Sequence, residues 1–207
     1  MTHAYRFVII AMVALLPSPI IAGVAIGLSG SAANNNLGLE TSRNNAVSAN
    51  VNFDILEWLR IGFTHRRSLE SGTGYKRYSE GGREFFVEFD SETRQTINSL
   101  DLIVVLYNGI VSPYIFGGVA HKDYEVAVNC SAVCSTNAHR TMFPVENYGF
   151  GVGIYLSREF SLKISETYSP GYAIVTEGGL PVLDDLGNEL VRKRRDSYTQ
   201  IGITYHL

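Results

Sequence analysis

The sequence predicts an all-β fold: an eight-stranded antiparallel up-and-down β-barrel. Two observations carry this. After residue 22 no helical periodicity of useful length occurs, while segments that alternate apolar and polar residues recur eight times, each bounded by turn-forming residues. The connections between them are alternately short and long, as in a meander with two unlike ends. Composition agrees, because 12 Tyr, 10 Phe and 20 Gly against 3 Met lean towards strands.

The opening MTHAYRFVIIAMVALLPSPIIAGVA has one cation, Arg6, then an apolar run from Phe7 to Leu16, two prolines and small residues. It reads as a cleaved signal peptide, residues 1–22. The run is shorter than the roughly 20 apolar residues a membrane helix needs. A buried core helix is the plainer alternative. Cleavage after Ala22 keeps GVAIGLSGS whole and is preferred. Cleavage after Ala25 fits the small-residue rule better. One domain, 23–207, remains, and loss of Arg6 takes the formal charge from −3 to −4. So weakly acidic a chain is not expected to bind nucleic acid.

Strands are predicted at 23–31, 46–56, 59–67, within 93–107, and at 110–122, 147–156, 160–169 and 197–207. In AVSANVNFDIL, Val47, Ala49, Val51 and Phe53 oppose Ser48, Asn50, Asn52 and Asp54; in FSLKISETYS, Leu162 and Ile164 oppose Ser161, Lys163 and Ser165. Short connections fall near Glu57, at Asn108-Gly109 (a strong hairpin signal) and at Ser157-Arg158-Glu159. The long ones are polar: 32–45, 68–92, 123–146 and 170–196. The second, with REFFVEF, is expected to rise as a hairpin.

The faces decide the environment. A secreted lipocalin-type carrier would wet the polar faces and bury the apolar ones. These polar faces are rich in Ser, Asn, Thr and Gly, with few charges, which suits a narrow lumen in which Asp54, Arg60, Asp101 and Lys163 pair. The apolar faces would then meet lipid, making the barrel transmembrane. Two strands are apolar on both faces. Leu100, Leu102, Val104, Leu106, Val111, Pro113, Ile115 and Val119 are expected outward, with Ile103, Val105, Tyr114 and Phe116 filling the interior. Phe53, Tyr107, Tyr148, Phe160, Tyr168 and Tyr205 are candidates for interfacial girdles.

The ending QIGITYHL resembles the C-terminal assembly signal of outer-membrane proteins, carried here by Gln200, Gly202, Tyr205 and Leu207, with Leu207 where Phe is usual. SPYIFGGVA, 112–120, is similar to a stretch common in small bacterial outer-membrane barrels of the porin-like, opacity-protein and OmpA-type membrane-domain group. That resemblance covers 23–207. It implies export through a cleaved signal peptide to the outer membrane of a Gram-negative cell, short periplasmic turns and four long extracellular loops. It also implies periplasmic chaperones, the barrel-assembly machinery, membrane lipid and lipopolysaccharide as partners, a monomer, and no cofactor.

Few residues point to chemistry. Cys130 and Cys134 lie in the third long loop and are expected to form a disulfide in an oxidising compartment; a metal site there has only His139 in support. The run Arg192-Lys193-Arg194-Arg195 could contact lipopolysaccharide phosphates, the plainer reading being solvated loop charge. An outward Ser–His pair, as a lipid A-modifying enzyme would need, is not found along any one strand, and an enzyme is not expected. An anchor bearing loops for adhesion or envelope interaction is the preferred function, and a narrow channel is the alternative. The surface ligand is not readable. If the terminus is an assembly signal, Leu207→Asp impairs membrane insertion and Leu207→Phe leaves it intact or improved. The gel mobility of unboiled against boiled membrane fractions reads this, and normal assembly of the Asp variant would refute it.

Overall fold

The structure is a computed structural model describing residues 23–37, 40–80, 83–130, 135–174, 176–177, 180–181 and 191–207. The predicted signal peptide lies outside the described residues. In order, the strands are β1 (Gly23–Leu37), β2 (Glu40–Leu56), β3 (Leu59–Glu80), β4 (Arg83–Val105) and β5 (Val111–Cys130). Then come β6 (Ser135–Tyr155), β7 (Phe160–Ile174), the two-residue strands β8 (Thr176–Glu177) and β9 (Leu180–Pro181), and β10 (Val191–His206). β8 and β9 pair only with each other; the other eight close into one barrel in the order β1-β10-β7-β6-β5-β4-β3-β2. All neighbours are antiparallel. Closure matters in hydrocarbon, where an unpaired backbone group costs several kcal/mol, of order 4–8 for transfer to a purely apolar medium.

The register is staggered. A walk leaving β1 at Val24 crosses Phe53, Ile61, Leu102, Gly117, Tyr148, Tyr168 and Ser197. Continuing the β10–β1 register, it returns to β1 at Asn34, ten residues further along. Such stagger accompanies strand tilts of roughly 35–45°.

Alternation sorts the side chains as expected. Ile26, Leu28, Phe53, Phe63, Leu100, Leu102, Ile115, Phe150 and Ile203 are exposed on the outside. Ser48, Asn50, Asn52, Ser99, Asp101, Asn147, Ser165, Thr167 and Gln200 are buried within. A carrier soluble in water would have the opposite arrangement, so the lipocalin reading fails here. A basic residue at the bilayer midplane costs roughly 2–4 kcal/mol on a lipid-facing strand, which explains a belt built from Leu, Ile, Val and Phe. Aromatic pairs sit towards both margins: Phe160 with Tyr205 at 5.0 Å on the turn side, and Tyr148 stacked on Tyr168 at 5.8 Å on the other.

The doubly apolar strands face as predicted. Ile103, Val105 and Tyr114 form a buried cluster with Phe116 packed against it. Room comes from the next strand, since Tyr114 pairs with Gly151 and Phe116 with Gly149. A Cβ at Gly151 would strike the Tyr114 hydroxyl, and one at Gly149 would strike the Phe116 ring.

Two expectations are corrected. The first and third long connections are largely not loops: β1 and β2 stay paired out to Leu37↔Glu40 and β5 and β6 to Asn129↔Ser135, while the second rises as the expected hairpin, β3 and β4 paired out to Glu80↔Arg83. Above the membrane a ribbon can be polar on both faces, so apolar alternation vanishes while the backbone ladder continues. The Asn108-Gly109 hairpin is wider than a two-residue turn, because β4 ends at Val105 and β5 starts at Val111. Ser112 Oγ donates to the Gly109 carbonyl at 2.8 Å and accepts from its N–H at 3.2 Å, satisfying the broader turn.

Candidate functional site

Two regions could carry function: the hairpins beyond the belt, and the lumen. The hairpins follow from where pairing stops. β6 pairs with β7 only from Tyr155↔Ser161 to Tyr148↔Tyr168, and β1 with β10 only from Ala25↔His206 to Gly30↔Ile201. Both strands of each pair run on beyond those limits. Above the belt the wall therefore separates into a six-stranded sheet, β1 to β6, and the β7–β10 ribbon, opening four strand edges at the two seams, and the β3–β4 hairpin adds two more above Gly74 and Phe89, all without a ladder partner among the described residues.

The β6–β7 seam has local causes. Pro144 and Pro170 stand on the two strands just past their last ladder pair, and neither has an N–H to give. A bulge between Ala120 and Lys122 re-aims β5 at the same height. There Lys122, 0 % exposed, donates through Nζ to the carbonyls of Ser169 at 2.7 Å and Pro170 at 3.1 Å. Ser169 Oγ donates to the Glu146 carbonyl at 3.3 Å. Side chains thus bridge the foot of a seam the ladder leaves open. On the β3–β4 hairpin, Tyr75 and Phe86 are exposed well above the apolar belt.

The lumen is filled. At the turn end Arg60 pairs with Asp54 at 2.8 Å and donates to the Tyr155 hydroxyl at 3.2 Å. Asp101 accepts from Ser99 at 2.6 Å and from Asn147 at 2.7 Å. Arg66 is buried, with its guanidinium 3.2 Å from the centre of the Tyr198 ring. Lys163 stands 5.0 Å from the Tyr114 ring. Of the four charges expected to pair, Asp54 takes Arg60 in direct contact, whereas Asp101 and Lys163 attract each other across the lumen without a hydrogen bond between them, Asp101 accepting from neutral donors. Among the described residues the lumen keeps two small cavities, of about 50 Å³ and 30 Å³, and Asn52, Ile103 and Lys163 line both. Each has room for only a few water molecules.

The residues singled out from sequence are placed as follows. Gln200 faces inward and donates to Ser48 Oγ at 2.9 Å. Gly202 lies where a Cβ would strike the Leu28 carbonyl and the Ser29 side chain. Tyr205 and Leu207 are exposed on the outer surface, and the Leu207 N–H donates to the Val24 carbonyl at 2.8 Å. Arg192, Lys193, Arg194 and Arg195 are part of β10, paired with Ala173, Tyr172, Gly171 and Pro170, and do not precede the last strand as expected. Cys130 ends β5 opposite Phe89, so it too is on a strand; Cys134 and the predicted bridge lie outside the described residues.

One pair escaped sequence reasoning. Ser161 Oγ and His206 Nε2 are 2.9 Å apart, across β7 and β10. A search along single strands could not find it, although the diagonal neighbourhood follows from the Thr204↔Ser161 register. No acid hydrogen-bonds His206 among the described residues, and its ring lies 5.1 Å from that of Tyr155.

Comparison with solved structures gives the barrel its place. The N-terminal β-barrel domain of Pseudomonas aeruginosa OprF matches 90% of this chain and 98% of its own, with a TM-score of 0.50 and 13% identity. Ail, the attachment invasion locus protein of Yersinia pestis, matches 90% of this chain and 99% of its own, with a TM-score of 0.52 and 14% identity. This is the fold of a small outer-membrane β-barrel. No protein-family model matches the barrel sequence, and no curated protein matches it either.

The Lys122 bridge generates a test. Lys122→Met should keep the heat-modifiable barrel but speed amide exchange in β7 above Tyr168, because a hydrogen bond to a charged group contributes roughly 1.5–3 kcal/mol, about ten- to hundredfold in exchange. Hydrogen exchange read by mass spectrometry checks it, and unchanged protection would remove Lys122 from this role.

Proposed function

We propose that the protein is an integral outer-membrane anchor whose extended hairpins bind a partner at the cell surface. One observation carries the reading: the lumen is packed, while the strands continue well beyond the apolar belt and end in unpaired edges. A packed lumen suits a rigid support. Strand edges and exposed aromatic residues in water offer backbone hydrogen bonds and apolar contact to a partner. The fold shared with Ail, a protein named for attachment, is in keeping with this. The binding segment extends from the β3–β4 hairpin, with Tyr75 and Phe86, to the β5–β6 hairpin.

Shortening β3–β4 to remove residues 75–88 should abolish binding of the bacteria to host cells or matrix while leaving heat-modifiable mobility intact. Unchanged binding, there and on shortening the other hairpins, would remove the adhesion reading.

A narrow channel is the second reading, favoured by two small lumen cavities that share Asn52, Ile103 and Lys163 in their linings. Recordings in planar bilayers should then show small single-channel steps altered by Lys163→Met; a silent bilayer rejects it. The run Arg192–Arg195, near the hairpin end, is proposed to seat the barrel against lipopolysaccharide phosphates. Neutralising it should lower the lipopolysaccharide that co-purifies with the barrel, and equal recovery counts against the contact.

A further inference from the structure

We infer that the outer wall of the barrel carries a binding site for the primary ammonium group of a membrane-lipid headgroup, formed by Glu166 with Phe150 and Tyr168. Glu166 lies on the lipid-facing side of β7, because the strand alternates: Ser165 and Thr167 are buried in the lumen, while Ile164 is exposed on the outer face. Its register partners, Phe150 on β6 and Thr199 on β10, face the same way. A carboxylate is out of place in a belt of Leu, Ile, Val and Phe, and an ionisable residue on such a wall points to function. Glu166 stands one outward position below Tyr168, about 6–7 Å along the strand from the hairpin-side aromatic margin. A strand tilt of roughly 35–45° turns that into about 5 Å of depth. Lipid headgroups meet the hydrocarbon at this level.

The surroundings select the ligand. Thr199 Oγ1 donates to Glu166 Oε2. A carboxylate has about four acceptor sites, so this one bond leaves Oε1 able to accept. No ion pair reaches Glu166 among the described residues, and its outer-face neighbours Tyr148, Phe150, Val152, Ser197 and Ile201 are uncharged. Three rings gather beside the acid: Tyr148 stacks on Tyr168 at 5.8 Å, and Phe150 lies 6.5 Å from Tyr168. Phe150 is directly opposite Glu166, which puts their Cβ atoms roughly 4.5–5.5 Å apart. Such a group holds an ammonium, since the acid supplies counter-charge and an N–H acceptor while the rings present negative faces. An anionic group would be repelled by Glu166 and by Glu146, exposed further up β6. A bare metal ion takes several oxygen ligands, which one carboxylate among rings does not supply. A primary ammonium fits better than a quaternary one, because Glu166 can accept its N–H. The site is on the wall and is independent of what the hairpins bind.

Native mass spectrometry of the full barrel, released from micelles doped with equal amounts of two lipids, provides the test. An ethanolamine phospholipid should be retained roughly three- to tenfold over a glycerol phospholipid with the same chains. Glu166→Gln should bring the two to parity, and Phe150→Leu should narrow the gap. Glu159→Gln, at the turn side, should leave it unchanged. Unboiled against boiled gel mobility shows that each variant is folded. A second arm compares lipid A with amine-capped and with free phosphates, which separates a lipopolysaccharide amine from a phospholipid one. Preference for either amine, lost in Glu166→Gln, supports the site. Equal retention of amine and non-amine lipids in both arms overturns it, even where Glu166→Gln fails to insert. So does a preference that Glu166→Gln leaves unchanged, or a choline lipid retained as strongly as the ethanolamine one.

Discussion

Every feature of this chain depends on one constraint: in hydrocarbon, no backbone N–H or C=O can be left without a partner. Eight strands meet it by closing into a ring, with the Leu207 N–H on the Val24 carbonyl among the bonds at the closing seam. The stagger of ten residues follows from that closure and leaves a lumen only as wide as side chains can fill. Interior chemistry is then forced. Long polar side chains would collide, so Ser, Asn, Thr and Gly dominate, and the few charges must be answered by a neighbour.

Where the constraint lapses, the architecture changes. Above Gly30↔Ile201 and Tyr148↔Tyr168 the ladder is interrupted on both sides of β7–β10, although each strand continues. In lipid that arrangement would be untenable. In water it leaves edges able to hydrogen-bond with solvent or with another chain. Lys122 marks the transition, since it satisfies two β7 carbonyls at the height where β6 ceases to do so.

Most of the barrel was legible in the sequence because a membrane strand obeys a strict two-residue period. Even the doubly apolar segments resolved correctly: Ile103 and Tyr114 inward, Leu102 and Ile115 outward. Three things were not legible. The hairpin extensions, such as AANNNLGLETSRNN, carry no apolar face because they need none, so periodicity was silent where pairing persisted. The turn at Asn108-Gly109 was read from its best two residues, whereas Ser112 stabilises a wider one. The neighbours Ser161 and His206, and the placing of Lys163 opposite Asp101 without a direct hydrogen bond, depend on which strands meet and at what stagger, which no single segment encodes.

The facing of Tyr114 and Phe116 by Gly151 and Gly149 has a consequence for how such a chain can diverge. Volume in a closed ring is shared across the strand boundary, so the two positions of each pair form one mutational unit. A side chain can appear at Gly151 only as the ring at Tyr114 shrinks, and a smaller residue at Tyr114 opens space that Gly151 must refill. The barrel therefore drifts by exchanging bulk between neighbouring strands, and two sequences with little identity can enclose the same interior.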